Sequence, residues 1–261
     1  MPLSDEEKFK FDIQGFIVIP DVLSHDECDH YSRLADETWP RQPSDPAFRR
    51  KDFISEWGQP FIDLMDHPVV LEYVVELVGR KVRIDHEYCL FMDKSDSKMQ
   101  LHGGPRLFET DHWYYYQDGT MRNGLTVVTY NLTPSPEGAG GFTCIPGSHK
   151  SNFIRNLPDD VRDFRRSEPY VVQPALNRGD VLIFTEALIH GTAPWQLAHE
   201  RRTLLYKYSP PHSSWSKLRY DPDKYPDLTN RQRRLMQPPS VEDHRRVVEK
   251  SLNPESGPIA E

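Results

Sequence analysis

His102 and His190 are the side chains best suited to chemistry in this sequence. Each follows or ends an apolar β-like run, and Arg201 comes shortly after the second. The first motif reads Leu101, His102, Gly103, Gly104, Pro105. Two strand-borne imidazoles with a basic residue just beyond them suit a non-haem iron site that takes a keto-acid cosubstrate. Such a site normally carries an Asp or Glu two residues after the first histidine, and here that position is Gly104. The third protein ligand is therefore expected to be missing or displaced.

The elements that must position these residues begin with helices. Ser4 followed by Asp5, Glu6 and Glu7 opens a helix running to about Gln14, after which Gly15 releases the chain into the apolar strand Phe16, Ile17, Val18, Ile19. Ser24 with Glu27 forms a capping box for a helix to about Glu37, and residues 40–46 form a loop. Pro68 starts a helix with an apolar stripe that stops at Gly79. From residue 81 to 208 the pattern changes to short strands, predicted over 82–92, 124–131, 141–145, 170–173, 180–184 and 203–208. Regularly spaced strands after a helical start imply a mainly β, α+β architecture. We expect a double-stranded β-helix, or cupin-like jelly roll, with the N-terminal helices packed on one outer face. Residues 1–235 form one domain in this reading, and 236–261 a tail with an exposed helix over 242–252.

Composition narrows the function. The 261 residues are 37% hydrophobic and 28% charged, enough for one large core. A net charge of −8 gives no general attraction to a nucleic-acid polymer or an anionic membrane, so an anionic substrate needs a local basic cluster. Cys28, Cys89 and Cys144 are odd in number and unpaired by motif, which argues for a reducing compartment and buried thiols. With no secretory leader pattern and no apolar run long enough for a span, the expected location is cytoplasmic. Nothing in the sequence bears on oligomeric state.

The order of motifs resembles the phytanoyl-CoA dioxygenase family of iron(II)/2-oxoglutarate enzymes. The matching features are Gly15 to Leu23, His102, the segment from Gly140 to Lys150 containing Pro146, Gly147, Ser148, His149, then Gly179, Asp180 and Val181 leading into His190, and Arg201. The resemblance implies His102 and His190 as iron ligands, Arg201 on the distal carboxylate of 2-oxoglutarate, Thr192 as a helper, and O2 as cosubstrate. It implies a structural turn for His149. Adjacent strand residues face opposite sides, so only one of Arg201 and Arg202 can point inward, and spacing selects Arg201. A guanidinium also grips a carboxylate bidentately where a lysine would not.

The third ligand does not carry over from the family pattern, because of Gly104. Glu186 lies four residues before His190. On a continuous strand it shares that face but sits about 13 Å away at ~3.3 Å per residue. Glu109 and Asp111 are other candidates. The alternative is that chloride fills the place, since a glycine leaves room for an anion. This His-x-Gly form resembles the iron/2-oxoglutarate halogenases, which makes a halogenase the leading expectation. A hydroxylase with a displaced carboxylate is the second reading, and a catalytically silent binding or sensing domain the third.

For a substrate the sequence points to a free small molecule. Trp113 and Tyr114 could supply a stacking wall, and Arg106 and Arg165, with Arg122, Arg162 and Arg166, could hold a phosphate. Together these suggest a nucleoside monophosphate and a resemblance to the adenine-nucleotide halogenases.

Overall fold

A computed structural model describes residues 3–105, 111–217, 220–242 and 246–247. In chain order the helices are α1 (Asp5–Gln14), α2 (His25–Thr38), α3 (Gln59–Asp63), α4 (Pro68–Val78), α5 (Asp159–Arg162) and α6 (Asn230–Leu235). The strands are β1 (Phe16–Ile19), β2 (Phe48–Asp52), β3 (Arg83–Met92), β4 (Met99–His102), β5 (Tyr114–Gln117), β6 (Thr120–Asn123), β7 (Thr126–Asn131), β8 (Gly141–Ile145), β9 (Val181–Thr185), β10 (Ile189–Ala193) and β11 (Arg201–Ser209).

Local chemistry sets the helix ends. Ser4 and Ser24 each accept from the backbone of the glutamate three residues on, and that glutamate's carboxylate returns to the serine N–H, as their spacing predicts. Gly15 closes α1, its N–H donating to the Phe11 carbonyl at 2.7 Å.

Six antiparallel strands form the main sheet in the order β1-β9-β7-β11-β3-β2, and three form a smaller sheet, β4-β10-β8. Strand alternation decides what each face of the main sheet meets. One face carries Cys89, Phe91, Val128, Tyr130, Ile183, Leu204 and Tyr206, which pack with Phe61, Leu71 and Val74 of the helical layer. The other carries Tyr88, Leu90, Val127, Leu182, Phe184 and Leu205, which pack with Phe142 and Cys144 of the small sheet. This two-sheet sandwich with one helical flank is the expected jelly roll.

Three differences from the sequence reading matter. Residues 170–173 make only a single bridge, Val172 to Cys144, with one backbone hydrogen bond of 2.9 Å in each direction. The run from 180 to 190 is two strands, not one: the Leu188 N–H donates to the Thr185 carbonyl at 2.9 Å, and the turn sends the chain from the main sheet to the small one. The aromatic run 113–116 enters a two-stranded hairpin, β5-β6, turning at Asp118 and Gly119 with positive φ at both. The helix predicted over 242–252 lies largely outside the described residues. No helix among the described residues is long and apolar enough to cross a membrane.

Candidate active site

The site is assembled where β4 and β10 pair and the β9–β10 turn passes beside them. His102 and His190 are directly opposed across the two strands, with ring centroids 4.3 Å apart. The Nδ1 of each ring lies 2.8 Å from the backbone carbonyl two residues before it, Gln100 for His102 and Leu188 for His190. Engaging Nδ1 as a donor leaves Nε2 of each ring with its lone pair free.

Glu186 completes the cluster. One ligand atom from each of His102, Glu186 and His190 lies within 4.8 Å of the other two. The 13 Å separation expected from the sequence assumed a continuous strand, and the turn over Thr185–Leu188 removes it. Glu186 is 3% exposed, and its Oε2 lies 3.7 Å from the Nε2 of His190 and 3.7 Å from the Nε2 of His112. Its Oε1 accepts from Lys207 Nζ at 2.5 Å. Two imidazole nitrogens and one carboxylate are a donor set that suits iron(II).

Gly103 and Gly104 have a backbone explanation. Both adopt positive φ, +85° and +94°. A Cβ at position 103 would fall 2.5 Å from the Leu188 carbonyl oxygen and 2.8 Å from that of Glu186, so glycine there lets the His102 strand approach the Glu186 turn. At position 104 the nearest atoms to such a Cβ all belong to Ile154, the closest at 2.7 Å. A side chain at 104 would thus start toward Ile154.

Electrostatics follow from burial and company. Burial alone would raise the Glu186 carboxyl, but the Lys207 ammonium beside it outweighs that and holds it well below the ordinary carboxylate range. Burial opposes the charge on Lys207, and Glu186 more than compensates, raising it. Burial brings His190 down to about 3 despite Glu186, which keeps the ring neutral and able to donate a lone pair.

Arg201 lies on the inner face of β11, 3% exposed. Its Nη1 is 3.8 Å from Met92 Sδ, its Nε is buried without a hydrogen-bond partner, and no carboxylate among the described residues pairs with it. Burial lowers it to about 10, so it remains charged. A buried, unpaired guanidinium is costly and marks a place for an anion. Its side chain passes over Gly141, where a Cβ would meet Nε at 2.5 Å. Gly141 pairs with Ala193 and Cys144 with His190, so Arg201 stands three residue steps, about 10 Å, along the small sheet from the histidines. Thr192, on the same strand face as His190, falls between them and is buried. Arg202 points the other way, to Asp36 at 2.8 Å and Glu200 at 2.7 Å, as alternation requires.

The sequence of this chain from residue 11 to 203 matches the model of the phytanoyl-CoA dioxygenase (PhyH) family. The chain belongs to that family. Among solved structures it resembles HygX from Streptomyces hygroscopicus with nickel and 2-oxoglutarate bound, at 25% identity and a TM-score of 0.74, over 84% of this chain and 91% of that one. Two further likenesses show the fold. One is the non-haem α-ketoglutarate-dependent carbocyclase SnoK from nogalamycin biosynthesis, at 17% identity and a TM-score of 0.60, covering 80% of this chain and 85% of that one. The other is the epimerase SnoN from the same biosynthesis, at 14% and 0.57, covering 78% and 79%. No curated protein matches the sequence. As a PhyH-family chain with this fold, it is an enzyme of the iron/2-oxoglutarate oxygenase superfamily.

The remaining residues singled out in the sequence are dispersed in this PhyH fold. Tyr114 donates its hydroxyl to Asp12 on α1 and meets the His149 ring edge-on at 4.7 Å, so it fastens the hairpin to the N-terminal helix. His149 is held in the same contact, its Nε2 at 3.0 Å from the Asp12 carbonyl, in keeping with a structural turn. Trp113 stacks on Tyr115 at 5.3 Å. Arg165 is exposed and paired with Asp163 at 3.1 Å, and Arg166 is paired with Asp160 and Glu168. Arg162 donates to the Leu101 carbonyl at 3.4 Å. Arg106 and Glu109 lie outside the described residues. Asp111 accepts from Ser209 and Ser213 at 2.8 and 2.9 Å, which ties a strap after β11 to the barrel. The sequence reading passed over Lys207, His112 and Trp215. Lys207 could have been found, since it shares the period-two face of Arg201 on β11. His112 stacks on Trp215 at 4.6 Å, a contact between distant segments that no spacing reveals.

Proposed function

We propose that this PhyH-family enzyme is an iron(II)/2-oxoglutarate oxygenase of the hydroxylase type, acting on a small natural product, with His102, His190 and Glu186 as the metal ligands. The observation that carries this is that one ligand atom from each of His102, His190 and Glu186 lies within 4.8 Å of the other two, with the Nδ1 of each ring engaged by a backbone carbonyl. Arg201 binds the distal carboxylate of 2-oxoglutarate, answering its own lack of a partner, and a short keto diacid bridges the span from there to the histidines. Thr192 lines that path. Phe184 and Phe142 pack against the His190 ring, at 4.7 and 6.3 Å, and keep water from its buried side. Bound iron(II) supplies the chemistry in which dioxygen and 2-oxoglutarate give succinate and carbon dioxide, one oxygen atom entering succinate and the other the C–H bond of the substrate.

The halogenase expectation rested on Gly104 as space for chloride. Two features favour hydroxylation instead: Gly104 faces Ile154, and Glu186 supplies the carboxylate that Gly104 lacks. The nucleoside monophosphate expectation rested on arginines, of which Arg165 and Arg166 are paired with acidic neighbours. HygX has been solved with hygromycin B bound, which supports a polar small molecule as substrate class.

The test is turnover of purified protein with iron(II), 2-oxoglutarate and air, in chloride-containing and chloride-free buffer, with hygromycin B and adenosine monophosphate as probes. Succinate release and product mass are read together. Iron-dependent succinate formation and products gaining oxygen, indifferent to chloride, are expected. A product that appears only with chloride and carries it would restore the halogenase reading.

A further inference from the structure

We infer that Lys207 is a positioning residue for the third metal ligand: it holds one oxygen of Glu186 so that only the other is presented to the metal. This rests on the reading of Glu186 as a ligand. In that reading every ligand is oriented by a bond on its far side. The imidazoles are oriented by the Gln100 and Leu188 carbonyls, and the carboxylate, which has no backbone contact of this kind among the described residues, is oriented by Lys207 on Oε1.

Lys207 is itself fixed. It sits near the end of β11, just before the register shift between Lys207 and Tyr208, opposite His86 of β3 and Val127 of β7, with its Nζ 5.5 Å from the centre of the Tyr88 ring. His86 is held at Nδ1 by Asp85, 2.7 Å away, and stacks on Tyr88 at 5.8 Å. Asp85 in turn accepts from Arg83 at 2.9 Å and from the backbone N–H groups of Trp215 and Ser216 at 3.0 and 2.9 Å. The ammonium therefore has a rigid wall behind it and one carboxylate before it.

Two consequences follow for the metal. With Oε1 engaged, Glu186 would offer a metal its Oε2 alone. A carboxylate released from Lys207 is free to turn both oxygens to the metal, or to settle on His112, whose Nε2 is already 3.7 Å from Oε2. The ammonium also withdraws charge from the carboxylate, so the site presents a weaker anion than a free glutamate would.

The experiment is cobalt(II) binding to the full-length protein, with affinity read by chelator competition and geometry by the visible cobalt spectrum at saturation. The variants are Lys207→Met, Lys207→Gln, Lys207→Arg and Glu186→Gln, each checked for folding by circular dichroism. Lys207→Met is expected to change the spectrum at saturation, because the freed carboxylate meets the metal in another mode, and to shift the affinity ~10-fold or more from wild type. Lys207→Arg should restore the wild-type spectrum, because it returns a cation to Oε1. Lys207→Gln, which leaves Glu186 with a neutral donor, is the decisive variant if Lys207→Met does not fold, and should behave as Lys207→Met does. A folded Lys207→Met or Lys207→Gln with wild-type affinity and spectrum, beside a weakened Glu186→Gln, would overturn the role of Lys207 and leave Glu186 as ligand. Wild-type cobalt binding by Glu186→Gln would overturn the ligand reading itself.

Discussion

The two faces of the main sheet treat buried charge in opposite ways. On the face toward the helices, Glu87 is buried with no cation paired to it among the described residues, hydrogen-bonded to Ser55 at 2.6 Å, and burial pushes its carboxyl up to about 7. On the face toward the small sheet, Lys207 meets Glu186 of the β9–β10 turn, which is as buried but is held low beside it. The same inner face carries Arg201, a cation with no carboxylate among the described residues. A scaffold face thus settles its charge within the protein, while the functional face keeps one cation unanswered. The unanswered group marks where a ligand belongs more clearly than the paired ones do.

The sharpest way to break this contrast is at Arg201. Arg201→Leu should weaken 2-oxoglutarate binding by ~100-fold or more, since a charge-assisted bidentate contact in a buried site is lost. Arg202→Leu should change it little, because Arg202 serves Asp36 and Glu200 on the other side. Calorimetric titration of the nickel-loaded proteins checks both, and equal losses would remove the distinction between the faces.

Gly103→Ala comes next. Its Cβ would clash with two backbone carbonyls of the β9–β10 turn, so His102 and Glu186 must separate. A loss of ~10-fold or more in metal affinity is expected, with a lower melting temperature. Gly104→Ala meets only side-chain atoms of Ile154, Cδ1 first at 2.7 Å, and keeps a positive φ that costs alanine stability, so the change in metal binding should be smaller.

How far the sequence could be read depends on which signals are local. Capping boxes at Ser4 and Ser24, the stripe of α4, and the strand of Arg201 rest on neighbouring residues and were legible. The inner direction of Arg201 followed from alternation alone. The third ligand was not legible, because Thr185, Glu186, Ala187 and Leu188 contain no glycine, proline or asparagine to announce a turn. Here the Thr185 hydroxyl, accepting from the Ala187 N–H at 3.3 Å, helps make one. A continuous strand was therefore the reasonable reading, and it kept Glu186 too far from His190. The hairpin at Asp118 and Gly119 did carry a turn signal, which was overshadowed by the aromatic run before it.

A smaller effect tests the scaffold face. The folded value of Glu87 lies above its ordinary 4.5, so the unfolded chain gives up its proton first as pH rises. Its contribution is therefore intact below about 4.5 and is lost as pH climbs toward 7, by ~3 kcal/mol. Glu87→Gln should remove that loss and gain about 1–2 kcal/mol at pH 8, the amide keeping only part of the Ser55 contacts. At pH 5 it should gain nothing. Urea unfolding at the two pH values reads the difference, and a gain independent of pH would contradict a neutral buried carboxyl.

The smallest effect is expected at Arg165. Its pair with Asp163 is exposed, so Arg165→Ala should shift stability by no more than ~0.5 kcal/mol. It should also leave adenosine monophosphate and hygromycin B binding unchanged. Selective loss of the nucleotide would return phosphate recognition to this surface.

Glu186 as third ligand is tested most directly by anaerobic titration of iron(II) into the protein with 2-oxoglutarate present, followed by the visible charge-transfer absorption of the chelated keto acid. Wild type should saturate at one equivalent, and Glu186→Ala, folded by circular dichroism, should need ~100-fold more iron(II) to reach half of any band it forms. An unchanged band and affinity in Glu186→Ala would mean that the two histidines hold the metal without this carboxylate, and would contradict the site proposed here.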